Sequence, residues 1–99
     1  MKVNITSVKF KTDKKLDDYI SDKVEKLHTF FEGAISTEVT LRLDNNEKVK
    51  DKVVEIRILV KGNDLFAKKE SKSFEESTDQ AVEALRKQLS KYKEKIKGI

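Results

Sequence analysis

With 99 residues and no cysteine, the chain is sized for one domain, 1–99, and can hold no disulfide, thiol nucleophile or cysteine-bound zinc. Hydrophobic residues make up 36% and charged residues 40%, a thin but adequate core, and the absence of Pro with only three Gly argues against a flexible linker. The formal charge of +4 is uneven: from Arg86 to Ile99 six bases face one acid, Glu94, so the remainder is close to neutral.

MKVNITSVKF has no long apolar run, so it does not read as a signal peptide. No stretch approaches the roughly 20 apolar residues of a membrane span. A cytoplasmic location with no membrane partner is expected.

Lys2 to Phe10 reads as a strand in which Val3 and Ile5 alternate with polar residues. The phase then slips to Val8 and Phe10, which predicts a bulge near Ser7. Lys14 to Phe31 reads as a helix, because Leu16, Ile20, Val24, Leu27 and Phe31 recur every three or four residues. Asp13 is its expected N-cap, and Gly33 sits where a left-handed C-terminal residue is expected.

Ile35 to Leu43 is a second strand with Val39, Leu41 and Leu43 facing in and Thr40 and Arg42 facing out. Asp44 to Asp51 is a polar connection. Val53 to Lys61 is a third strand with Val54, Ile56, Ile58 and Val60 on one face and Val53, Glu55, Arg57 and Leu59 on the other. Gly62-Asn63-Asp64 makes a tight turn into a short fourth strand, Asp64 to Lys69. Ser73 to Lys97 is the second helix. Ser73 and Glu76 have capping-box spacing, and Thr78, Ala81, Val82, Leu85, Leu89, Tyr92 and Ile96 form its apolar stripe.

The expected fold is α+β, in the order β-α-β-β-β-α. Each strand has one apolar face and each helix one apolar stripe. A four-stranded, mainly antiparallel sheet with both helices on one face satisfies them all. Leu27, Ile56 and Leu85 sit centrally in their stripes and are expected in the core.

Nothing in the chain makes a case for catalysis. His28, the only histidine, lies beside the apolar stripe and reads as a surface residue; with no second His and no Cys, no metal site is expected. Asp17–Asp18 and Glu75–Glu76 read as helix-start charge, which the helix dipole favours. No glycine-rich phosphate loop or nucleophile elbow is present. The chain therefore reads as a binding protein with no catalytic residue, no cofactor and no small-molecule substrate.

The bases are the stronger signal. Lys87, Lys91 and Lys95 are four residues apart and form one helical stripe. Arg86, Lys93 and Lys97 form another on the opposite border of the apolar face. Too few acids lie within one turn to neutralise either. A polyanion partner is one reading; a solvated lysine-rich helix end that complements the helix dipole is the other. On the first helix Lys15, Lys23 and Lys26 share a flank with Tyr19. Lys23 falls within the apolar arc, where it either snorkels to the rim or reaches a patch shared with the second helix. Lys23, Lys26, Lys87, Lys91 and Lys95 are expected to line one positive surface where the helices lie side by side. Phe10, Phe30, Phe31 and Tyr92 fit the core, so recognition by Lys and Arg of backbone and shape is expected rather than base stacking.

These elements together resemble the short ribosome hibernation-promoting factors, also described as ribosome-associated inhibitor or sigma-modulation-type proteins. The resemblance runs through MKVNITSVKF, LDDYISDKVEKLHTFF, VEIRILVKGNDLFA and DQAVEALRKQLSKYKEK, with LRKQLSK (Leu85 to Lys91) the most telling segment. It implies a fold like a double-stranded-RNA-binding domain. It also implies binding to the small ribosomal subunit and its rRNA between head and body, blocking translation and preserving idle ribosomes. Matched one at a time, Lys23, Lys26, Lys87, Lys91 and Lys95 correspond to family basic positions, and Arg86 and Lys93 are their neighbours on the wheel. The chain departs from the family at Ser73-Phe74-Glu75, where many members have an Asp-hydrophobic-Tyr element, and at Thr29 and Ala84, where a base is frequent. At this length the dimerisation domain of the long forms has no room, and a monomer is expected in free solution. A small module binding an acidic protein partner is the competing function.

Overall fold

The computed structural model describes residues 2–44 and 51–97, with the side chains of Lys2, Ile96 and Lys97 left aside. Residues 45–50 of the expected polar connection lie outside it. The elements are β1 (Lys2–Ser7), α1 (Lys14–Phe30), β2 (Ala34–Leu43), β3 (Lys52–Val60), β4 (Asn63–Ser71) and α2 (Phe74–Lys97). The sheet order is β1-β2-β3-β4. β1 runs parallel to β2, with α1 as the crossover, and β2, β3 and β4 are antiparallel neighbours. Both helices pack on one face, where Ile20, Val24 and Leu27 of α1 meet Leu85 and Leu89 of α2 above Val39, Ile56 and Ile58.

Local chemistry explains the element ends. Asp13 caps α1, its carboxylate accepting from the Leu16 amide at 2.7 Å. Ser73 caps α2 by accepting from the Glu76 amide at 3.1 Å, while its own amide lies 3.4 Å from Ser71 Oγ, so the second half of the capping box is served by a different serine. Ser71 and Ser77 Oγ lie 2.7 Å apart, and the Ser77 hydroxyl donates to the Lys52 carbonyl at 2.6 Å, tying the start of α2 to β3 and β4.

Three local expectations are corrected. β1 does not bulge at Ser7; it stays in register up to the Ser7–Leu41 pair and ends there. The chain then turns through Lys9 at φ 65, with Ser7 Oγ donating to the Phe10 carbonyl at 2.7 Å. The sheet's irregularity lies instead between Ala34 and Ser36. Gly33 is not left-handed: α1 ends on Phe31 in an extended conformation. What Gly33 provides is room, since a Cβ there would lie 2.6 Å from the Phe31 ring. Leu43 is in phase with Leu41 but 42% exposed, because it lies past the end of β1. Val53 faces away from the helices yet is buried, flanked in register by Arg42 and Glu70, whose long side chains share its face.

Candidate nucleic-acid interface

The two helices meet along a seam. On the α1 side stand Tyr19, Lys23 and Phe30; on the α2 side stand Asp79, Arg86 and Lys93. Tyr19 Oη lies 2.8 and 2.9 Å from the two carboxylate oxygens of Asp79 and donates its proton to that carboxylate. The hydrogen bond to Asp79, followed by partial burial, pushes the phenol up to about 12. Lys23 Nζ is 3.3 Å from the same carboxylate and 5.5 Å from the Tyr19 ring centroid. The half-buried stem of Lys23 thus snorkels to the rim, and its charge already has a partner.

Further along the seam the chemistry changes sign. Arg86 Cζ stands 4.9 Å and Lys93 Nζ 4.6 Å from the centroid of the Phe30 ring, two cation–π contacts on one aromatic. Lys93 Nζ also lies 3.3 Å from the Phe30 carbonyl. This carbonyl is in the last turn of α1, where intrahelical partners run out, so a cation there complements the helix end. Lys26 is exposed on α1.

Lys87, Lys91 and Lys95 are elsewhere. Gln88 donates from Nε2 to the Phe66 carbonyl at 2.9 Å, and the Tyr92 hydroxyl donates to the Lys61 carbonyl at 2.9 Å. Those bonds turn this border of α2 towards β4. Lys91 and Lys95 rim an open depression of about 320 Å³ lined also by Leu65 and Tyr92, and Lys87 shares another with Lys69, Glu83 and the seam acid Asp79. All three α2 lysines are exposed. Among the described residues none of the three has a carboxylate within ion-pair distance.

The expected single surface of Lys23, Lys26, Lys87, Lys91 and Lys95 is therefore corrected. The border of α2 that faces α1 carries Arg86 and Lys93, and the border with the three lysines faces β4. The wheel separated the two borders, but nothing in one helix's sequence says which border its neighbour takes. The acid in the seam, Asp79, was also missed; its only sequence signal is its place seven residues, about two turns, before Arg86 on the same border of α2.

His28 is a second correction. It is 7% exposed, and its Nε2 is 2.6 Å from Oγ1 of the fully buried Thr37 on β2. Burial pushes its pKa below the ordinary histidine value. It is a core hydrogen-bonding residue, not a surface one. Among the described residues no group of three or more His, Cys, Asp or Glu is placed to hold a metal ion. No helix there is long and apolar enough to cross a membrane. The opposite face of the sheet bears Leu59 and Phe66, 45% and 40% exposed. Arg57 lies over the Phe66 ring, 4.9 Å from its centroid, and pairs with Asp64.

Fold and site together define a small α+β protein of the β-α-β-β-β-α type, with bases along both flanks of its second helix. The chain belongs to the Sigma 54 modulation protein / S30EA ribosomal protein family, whose model matches residues 3–97. It is 30% identical over 95 residues to the ribosome hibernation promoting factor of Azotobacter vinelandii, covering 96% of this chain and 85% of the relative. It is 27% identical over 97 residues to the factor of the same name from Klebsiella oxytoca, covering 98% of each. In fold it is similar to a ribosomal subunit interface protein from Coxiella burnetii, with a TM-score of 0.84 at 22% identity over 94% of this chain and 98% of that one. It is likewise similar to the N-terminal domain of Protein Y from Thermus thermophilus, with a TM-score of 0.79 at 20% identity over 93% and 99%.

Proposed function

We propose that this protein is a cytoplasmic, non-enzymatic ribosome hibernation factor. It acts as a monomer that binds the small ribosomal subunit through the rRNA backbone in the messenger and decoding channel, blocking translation. The observation that carries this reading is the pattern of bases on α2. Arg86, Lys87, Lys91, Lys93 and Lys95 stand on a packed helix with no carboxylate partner among the described residues. Unpaired cations on a rigid element suit phosphates, which are met by charge without reading sequence. The names of its relatives supply the ribosome as the polyanion. Lys26 extends the same cationic surface onto α1. Lys23 is already paired with Asp79 and so contributes less charge to a phosphate than its neighbours.

Sedimentation of a cell lysate through a sucrose gradient tests the reading. The protein should travel with small subunits and monosomes and return to the top of the gradient at high salt. The competing reading, an acidic protein partner, finds its support in the exposed Leu59 and Phe66 of the open sheet face. It predicts binding that survives nuclease treatment of the target.

A further inference from the structure

β4 is an edge of the sheet, and neither a bulge nor a proline blunts it. It runs from Asn63 to Ser71 and pairs with β3 without a register shift. Val60 pairs with Asn63 across the turn, so the residues bonded to β3 alternate with Asp64, Phe66, Lys68 and Glu70, whose backbone groups turn outward. The Phe66 carbonyl fits this pattern, since it accepts from Gln88 of α2. A carbonyl has two lone pairs, so that bond leaves room for a second donor. A row of outward N–H and C=O groups is a template for another strand.

The surroundings of the edge select that strand. α2 runs beside β4 in the opposite sense, with Gln88 reaching Phe66 and Tyr92 reaching Lys61. Lys91 and Lys95 rim a depression whose lining includes Leu65 and Tyr92 and no acid. Lys87 and Lys69 share theirs with Asp79 and Glu83, so the unbalanced charge lies at the Lys91–Lys95 end. Lysines four apart recur about every 6 Å along the helix, and alternate residues of an extended strand about every 6.8 Å. Acids at every second position of an added strand would therefore meet successive lysines. On its other face the added strand would lie beside Phe66, which is 40% exposed and suits an apolar neighbour. A second copy of the chain suits the edge poorly, because pairing two β4 strands would bring Lys68 and the lysine row of one copy close to those of the other.

We propose that the β4 edge takes an extended protein segment in which acidic and apolar residues alternate, adding it to the sheet as a further strand. Backbone bonds to Phe66, Lys68 and Glu70 hold it, and Lys91 and Lys95 select its acids. Under the proposed ribosome binding, such a segment would compete with rRNA phosphates for these two lysines. Its binding to the free chain does not depend on that reading.

Amide hydrogen exchange of the full chain, read residue by residue by NMR, tests this with a synthetic peptide of alternating Glu and Val as long as β4. The peptide should slow exchange at Phe66, Lys68 and Glu70 and leave β1 unchanged. A peptide of alternating Lys and Val should slow none of them. Lys91→Gln with Lys95→Gln should weaken binding roughly 2- to 30-fold, the value of two exposed ion pairs. Lys68→Pro should abolish binding with an unchanged circular dichroism spectrum, since an edge strand tolerates proline where its N–H faces solvent. Should that variant fail to fold, the exchange pattern of the parent still decides. No slowing at the three amides, slowing elsewhere instead, or equal slowing by both peptides would overturn the assignment. So would slowing at the same amides when the chain alone is concentrated, which would give the edge to a second copy. None of these measurements involves ribosomes, so sedimentation with small subunits stands or fails separately.

Discussion

The seam and the β4 border of α2 are both basic, but their charges are held in different ways. In the seam every cation with a described contact is committed: Lys23 to Asp79, Arg86 and Lys93 to the ring of Phe30. On the β4 border Lys87, Lys91 and Lys95 have no such partner among the described residues. A fixed cation has already lost rotamer freedom and costs little more to place on a phosphate. A free lysine loses up to about 2 kcal/mol of side-chain entropy when it is ordered. The fixed border therefore suits orientation, and the free border supplies charge that adapts to its ligand.

Both borders stand on one core, so the largest expected effect removes the comparison altogether. Leu27, Ile56 and Leu85 are buried to 2% exposure or less, as their central place in each stripe predicts. Truncating any one to Ala should cost about 2–5 kcal/mol in chemical denaturation, because the cavity cannot collapse between the sheet and two helices. An unchanged midpoint would mean the two borders do not share this support.

Next in size is the loss of the free border. Replacing Lys87, Lys91 and Lys95 together by Gln should preserve the fold and weaken binding to small subunits. It should also flatten the log–log salt dependence of affinity by about 2 to 3, one counterion-release increment per phosphate contact. A variant that inhibits translation in vitro as well as the parent, with the same salt dependence, would show that the free border makes no contact.

A smaller effect of opposite sign is expected in the seam. Asp79→Asn leaves an acceptor for the Tyr19 hydroxyl but removes the charge that occupies Lys23. Binding should tighten at low salt, and the salt slope should steepen by roughly 0.7 to 0.9, the value of one added contact. A slope equal to the parent's would mean Lys23 lies outside the contact surface.

The smallest effect is a pH dependence that belongs to the α1 side. The folded pKa of His28 is below its ordinary value of about 6.5, so the unfolded chain takes up its proton first as pH falls. This contribution to stability is present above about pH 6.5 and is lost as pH falls through it. Between pH 7.5 and 5.5 the parent's denaturation midpoint should drop more than that of His28→Gln. Parallel curves would remove His28 from the account.

The element order and both N-caps were readable in the chain, because they rest on local rules of periodicity and capping that tertiary contacts did not override. Val54, Ile56, Ile58 and Val60 alternate, and all four are buried. What failed was information that a single element does not carry. His28 lies only a little off the α1 stripe, and Thr37, which makes its burial tolerable, is nine residues away on another element. Val53 alternates onto the face away from the helices and is nonetheless buried, flanked in register by Arg42 and Glu70. The division of α2 into two basic borders was legible. Which one meets α1 depends on Gln88 and Tyr92 finding carbonyls at Phe66 and Lys61, a choice made in three dimensions.

The account turns on phosphate contact by cations, and the salt dependence of binding to purified small subunits measures that directly. Six contacts, from Lys26, Arg86, Lys87, Lys91, Lys93 and Lys95, predict a log–log slope of about −4.2 to −5.4. A slope near zero, or binding unchanged after nuclease digestion of the rRNA, would contradict it.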